Sequence, residues 1–136
     1  MEYNEDNLKL VSDLIVKNLT PDLLPKRWIQ RNWTNKMFGH CHNASCCLRK
    51  VFGSENIKLY RALDDEDIYH WWAVDLNGKL IDLTIDQYLS KGRTPPHDKG
   101  EPASPLGFEY KKRATRLYER VMSELNPPEI RSFFED

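Results

Sequence analysis

Gly39-His40-Cys41-His42-Asn43-Ala44-Ser45, then Tyr69-His70-Trp71-Trp72, then Ile81-Asp82-Leu83-Thr84 are the stretches on which the reading of this chain turns. From Cys41 to about Phe52, Ala44, Cys47 or Leu48, and Val51 or Phe52 recur at helical spacing, and Gly53 follows as a stop. The spacing predicts a helix with Cys41 in its first turn. Ile57, Leu59, Arg61 and Leu63 alternate with Lys58, Tyr60 and Ala62, which is the period of a strand. Ile68 to Leu76 and Leu80 to Leu83 read as two more strands joined around Asn77-Gly78, a hairpin signal, with Asp64-Asp65-Glu66-Asp67 as the preceding charged turn. The expectation is a three-stranded antiparallel meander beside the helix.

The hairpin loop decides which side chains meet, because strand side chains alternate faces. A two-residue Asn77-Gly78 loop pairs Ala73 with Asp82 and leaves His70 and Asp82 on opposite faces. A three-residue loop, Leu76-Asn77-Gly78 with Gly78 in the left-handed conformation, pairs Asp75 with Lys79 and Trp72 with Asp82. His70 is then one diagonal step from Asp82 on the same face. The sequence permits either register.

Outward from this centre, Leu8, Val11, Leu14, Ile15 and Leu19 predict an amphipathic helix over Asn7–Leu19, ended by Thr20-Pro21. Lys26 to Phe38, with Trp28 and Trp33 in a basic surround, reads as irregular or short helix. Thr84 and Gln87 have capping-box spacing for a short helix after the third strand. Lys91 to Leu106, with four prolines and two glycines, reads as a long loop. Phe108 to Leu125 reads as a last helix with Tyr110, Ala114, Leu117, Val121 and Leu125 on one face, stopped by Asn126-Pro127-Pro128. The fold class is thus α+β, a helix carrying Cys41 packed on a small antiparallel sheet with N- and C-terminal helices, and 1–136 is expected to form a single domain.

With 20 basic and 21 acidic residues, the chain has no global field to hold nucleic acid or an anionic membrane, so neither is expected as a partner. No apolar run approaches the roughly 20 residues that cross a bilayer, and the acidic start lacks the features of a signal peptide. Three cysteines, two of them adjacent, make no ordinary disulfide framework, and a cytoplasmic location is expected.

Cys41, His70 and Asp82 supply, in chain order, the parts of a thiol-nucleophile triad. A cysteine attacks a carbonyl as thiolate, an imidazole takes its proton, and a carboxylate fixes and charges the imidazole. A helix N-terminus favours thiolate, and its N–H groups suit an oxyanion. Trp72 is expected to line a cleft and Trp71, on the other face, to be core. His40, Cys41, His42, Cys46 and Cys47 cannot all converge on a tetrahedral ion from one continuous helix, so no metal and no cofactor is expected. Cys46 and Cys47 read as packing residues.

Trp33, Gly39-His40-Cys41 with Asn43-Ala44, Tyr69-His70-Trp71-Trp72, Asn77-Gly78, Ile81-Asp82-Leu83-Thr84, Gln87-Tyr88 and Arg116-Leu117-Tyr118-Glu119-Arg120-Val121 together resemble the YunG-like family of small bacterial and phage proteins. The family pattern is a Gly-Gln-Cys before the helix, a His-aromatic-Trp strand, and Asp-Leu-Thr followed by Gln-aromatic. Here His40 stands in place of the Gln and Ala73 in place of a frequent Asn. More distantly, the order is similar to the transglutaminase-like branch of papain-like cysteine enzymes. The resemblance spans about Trp33 to Val121 and implies a papain-like core with Cys41, His70 and Asp82 as catalytic residues; Trp72, Trp33 and His40 are the candidates for substrate contact. The expected function is a thiol hydrolase or acyl transferase acting on an amide or ester of a peptide, protein or small amide substrate. The alternative is a module of the same fold that docks a partner protein through its Trp-rich cleft.

Overall fold

The Asp75 carboxylate closes the hairpin on which the sheet is registered. Its Oδ1 accepts the N–H groups of Asn77 (2.9 Å) and Lys79 (2.8 Å), and its Oδ2 accepts the Tyr3 hydroxyl at 2.6 Å. Gly78 sits at φ +83°, where a side chain is costly. Asp75 N–H donates to the Lys79 carbonyl (2.9 Å), and Val74 pairs with Leu80 and Ala73 with Ile81. This is the three-residue loop, so Asp82 falls on the same face as His70 and Trp72.

The computed structural model describes residues 1–105 and 108–126, and of 108–110 the backbone only. β1 (Ile57–Leu63), β2 (Tyr69–Asp75) and β3 (Leu80–Ile81) form the expected meander. β4 (Glu101–Pro102), inside the segment read as loop, adds a fourth antiparallel strand beside β1, giving the order β3-β2-β1-β4. Two residues of strand, one of them a proline, leave too little periodicity to be read from sequence. The helices are α1 (Glu5–Lys17), α2 (Lys26–Asn32), α3 (Cys41–Phe52), α4 (Asp86–Leu89) and α5 (Phe108–Leu125). The stop expected at Pro127-Pro128 lies outside the described residues.

α1 starts because Asn4 Oδ1 accepts the Asn7 N–H (2.8 Å), and it buries Leu8, Val11 and Ile15. These pack with Ala44, Cys47, Leu48 and Phe52 of α3, Leu117 and Val121 of α5, and Ile57, Ala73 and Ile81 of the sheet. Beside that core, Cys41, Cys46, Leu59, Trp71 and Ala114 form a second cluster. One face of the sheet therefore carries the long helices. Trp71 and Ala73 point towards them, and by strand alternation His70 and Trp72 point to the other side.

That other side is roofed by α4 and by a 3-10 turn at His97–Lys99. Trp72 is 2% exposed there, stacked between Tyr60 (6.4 Å) and His70 (5.7 Å), with His97 on its edge at 4.9 Å. It is core rather than the wall of a cleft, which corrects the expectation for this residue: the roof built from the proline-rich segment covers it. Gly100 fits against it only because it has no side chain, since a Cβ there would stand 2.4 Å from Trp72 Cζ2. Gly100→Ala is therefore expected to displace the roof and cost about 1–3 kcal/mol, read as a lowered Tm in thermal unfolding.

Candidate functional site: an imidazole, a carboxylate and a thiol beside them

His70, on β2, is fully buried, and both of its ring nitrogens are met. Nε2 lies 2.6 Å from Asp82 Oδ2, just past the end of β3, and Nδ1 lies 2.9 Å from the Gln87 amide of α4. The pair of His70 and Asp82 follows from the hairpin register. Asp82 is held in turn by the Thr84 N–H on Oδ1 (3.3 Å) and by a second imidazole, His97, whose Nε2 is 2.7 Å from the same Oδ2. His97 was not among the sequence candidates, because a histidine in a proline-rich loop carries no signal of where the loop folds back. The spacing from Thr84 predicts that Gln87 closes a capping box. In the structure no side chain caps α4; the Gln87 amide reaches the Thr84 hydroxyl (3.2 Å) and the His70 ring instead.

Burial alone would depress the proton affinity of His70, but Asp82, with the Cys41 thiol adjoining the ring, outweighs it and holds the pKa up at about 9. Tyr88 packs edge-on to the ring at 4.7 Å. Its hydroxyl donates to Asp64 Oδ2 (2.8 Å), and burial together with that carboxylate pushes the phenol well above its ordinary value. Arg93 pairs with Asp64 (3.3 Å), Asp65 and Glu66 (3.4 Å) and lies over the Tyr88 ring, which ties the acidic turn to α4.

Cys41 opens α3 as expected and is 8% exposed. Its Sγ contacts the Tyr69 carbonyl at 3.9 Å. Cys41 packs with Trp71 in the layer facing α3, whereas His70 belongs to the opposite layer with Trp72. Only the His–Asp half of the expected hydrogen-bonded chain is therefore closed. Asp82 carries two histidines, and Cys41 stands outside their hydrogen-bonded chain.

Cys41 lines a cavity of about 300 Å³ whose walls include Trp28, Phe38, Tyr69, Trp71 and Tyr88. Trp33 is not among them: it is 74% exposed at the end of α2, and Trp28, one helical turn and a half earlier, faces the cavity instead. With two tryptophans on a short basic helix, the sequence had no period from which to choose between them. His40 does not line the cavity either. It is fully buried and neither ring nitrogen has a hydrogen-bond partner, so burial lowers its pKa to about 4. His42, whose ring meets Trp71 edge-on at 4.6 Å and whose Nε2 is 3.4 Å from Cys46 Sγ, is likewise lowered to about 4 by burial.

Among the described residues, His70, Asp82 and His97 have donor atoms close enough together, within 4.8 Å, to hold a metal ion. Yet Oδ2 lies 2.6 and 2.7 Å from the two nitrogens, the separation of atoms that share a proton. Ligands of a tetrahedral zinc stand roughly 3.3 Å apart. The cluster as built is a doubly hydrogen-bonded carboxylate. No helix of the described residues is long and apolar enough to cross a membrane.

The family model described as YunG protein matches residues 16–126, and the chain belongs to that family. No curated protein and no solved structure matches it. The matched span contains every residue of the site.

The opposed histidine shifts fix the pH dependence of stability. His70, raised in the folded state, stabilises fully below about pH 6.5 and loses its contribution as pH climbs through about 9. His40 and His42, lowered, stabilise above about pH 6.5 and lose their contribution as pH falls towards 4. Denaturant unfolding from pH 4 to pH 9.5 should therefore show a maximum near pH 6.5. His70→Gln should flatten the alkaline limb and His40→Leu part of the acid limb.

Proposed function

We propose that this YunG-family protein is a thiol-dependent acyl-transfer enzyme, a hydrolase of amide or ester bonds in the manner of papain-like enzymes, with Cys41 as nucleophile, His70 as acid and base, and Asp82 as the group that orients and charges His70. The observation that carries this reading is the His70 ring, locked on a buried carboxylate, with its proton affinity raised by that carboxylate and by the adjoining Cys41 thiol. A buried imidazole that keeps its proton to about pH 9 is a partner for a thiolate.

The chemistry follows from these positions. In the resting pair the proton of Cys41 resides on His70, and the thiolate attacks the carbonyl, forming the S–C bond. The first-turn N–H groups of α3 face the oxygen on which charge develops. His70 gives its proton to the leaving nitrogen or oxygen as that bond breaks, leaving a thioester on Cys41. Water, giving a proton to His70, then adds to the thioester; the S–C bond breaks and an acid is released. A protonated His70 needs acceptors on both nitrogens. Asp82 is one, and the thiolate, or a Gln87 amide turned to present its oxygen, is the other.

The filled ring nitrogens of His70 favour a second reading, in which the site is structural and the aromatic cavity beside Cys41 binds a partner protein. Labelling separates the two. Burial pushes the thiols of Cys46 and Cys47 up to about 12, so at neutral pH iodoacetamide should modify Cys41 at least about a hundredfold faster than either. His70→Ala should slow Cys41 labelling by about a hundredfold, and p-nitrophenyl acetate should leave a transient acetyl group on Cys41 that this variant does not form. Asp82→Asn should keep the Tm and lose the acetyl transfer. Equal labelling of the three cysteines, indifferent to His70→Ala, would establish the binding module.

A further inference from the structure

A second cavity, of about 410 Å³, opens along α3 beyond the first, and His42 lines both. His42, Cys46, Arg49 and Gly53 follow the spacing i, i+4, i+7, i+11, one stripe of the helix, and all four line the second cavity. Arg49 and Lys50 from α3 face Lys111 from α5 across it. No carboxylate is among its described lining residues; Glu55 folds against Gly53 at the far end. Lys50 lies over the Tyr118 ring at 4.8 Å, which holds its ammonium in place without neutralising it. In a chain with one more acidic than basic residue, a cavity walled by three cations is built for an anion.

We infer that the two cavities are one groove for a peptide substrate, in which the carbonyl attacked by Cys41 lies beside the aromatic walls and an acidic side chain of the same peptide reaches Arg49, Lys50 and Lys111. This rests on the nucleophile reading above. The spacing sets the register. Cys41 and Arg49 are eight residues apart, about 12 Å along the helix axis at 1.5 Å per residue, or roughly three to four residues of extended peptide. His42, uncharged in its buried setting, lines both halves and repels neither.

The test uses two capped pentapeptides, phenylalanine at one end and two glutamates at the other, or two glutamines in their place. The acidic peptide should slow iodoacetamide labelling of Cys41 by about five- to tenfold at concentrations where the glutamine peptide has no effect. Calorimetry with the Cys41→Ser variant should show binding of the acidic peptide that weakens with salt. The double variant Arg49→Gln, Lys111→Gln should abolish both effects, protection being measured against that variant's own labelling without peptide. Binding without protection would mean two separate sites and overturn the inference, as would absence of binding or equal protection by both peptides. If Cys41 is not preferentially labelled in the absence of peptide, the nucleophile reading fails, and calorimetry alone then decides whether the cations bind the acidic chain.

Discussion

The site depends on the register of one hairpin. Asp75 gathers two turn N–H groups and the Tyr3 hydroxyl, and these bonds, with Gly78 in the left-handed region, hold a three-residue connection between β2 and β3. A slip by one residue would turn every β3 side chain to the other face. Asp82 would then leave His70, and a fully buried imidazole would lose the carboxylate that keeps it charged. The burial of Asp75 is offset by its three donors, which hold its carboxyl below the usual range against the opposing effect of desolvation. A carboxylate at the turn thus fixes, at a distance, the partner of a histidine five residues before it.

The same alternation separates the chemistry into two layers. Trp71 and Cys41 belong with α3 and α5, and His70, Trp72, Asp82 and His97 belong with α4 and the roof. β3 ends at Ile81, so the end of β2 that carries His70 has no neighbouring strand on that side. A longer β3 would cover that edge with backbone.

Periodicity and turn chemistry made α3, β1 and α5 legible at their observed limits, since each has a clear apolar stripe or alternation and an adjacent stop or turn. The choice between hairpin registers was legible as a choice, and only the Asp75 contacts resolve it. What the sequence hid are contacts made by segments without a period. His97 arrives on Asp82 from a proline-rich segment, Gln87 abandons a local cap for a ring 17 positions away, and Trp28 rather than Trp33 meets the cavity. Strand alternation placed Trp71 and Trp72 on opposite faces, but which face was covered depended on a roof whose fold has no sequence signature.

Asp82 is where the charges of the site are reconciled. A carboxylate that is 1% exposed is costly unless its lone pairs are filled, and here two imidazole nitrogens share a single oxygen while the Thr84 N–H takes the other. The two rings are not equivalent, since the side chain of His70 is fully buried and that of His97 is 22% exposed. Burial disfavours charge on His70, and the Asp82 carboxylate with the Cys41 thiol more than offsets it, so the proton affinity of the ring is raised. His97 meets the same oxygen from the roof, at 2.7 Å, and so helps to fix the carboxylate that His70 faces. Asp82 thereby joins the hairpin that places His70 to the proline-rich segment that carries His97.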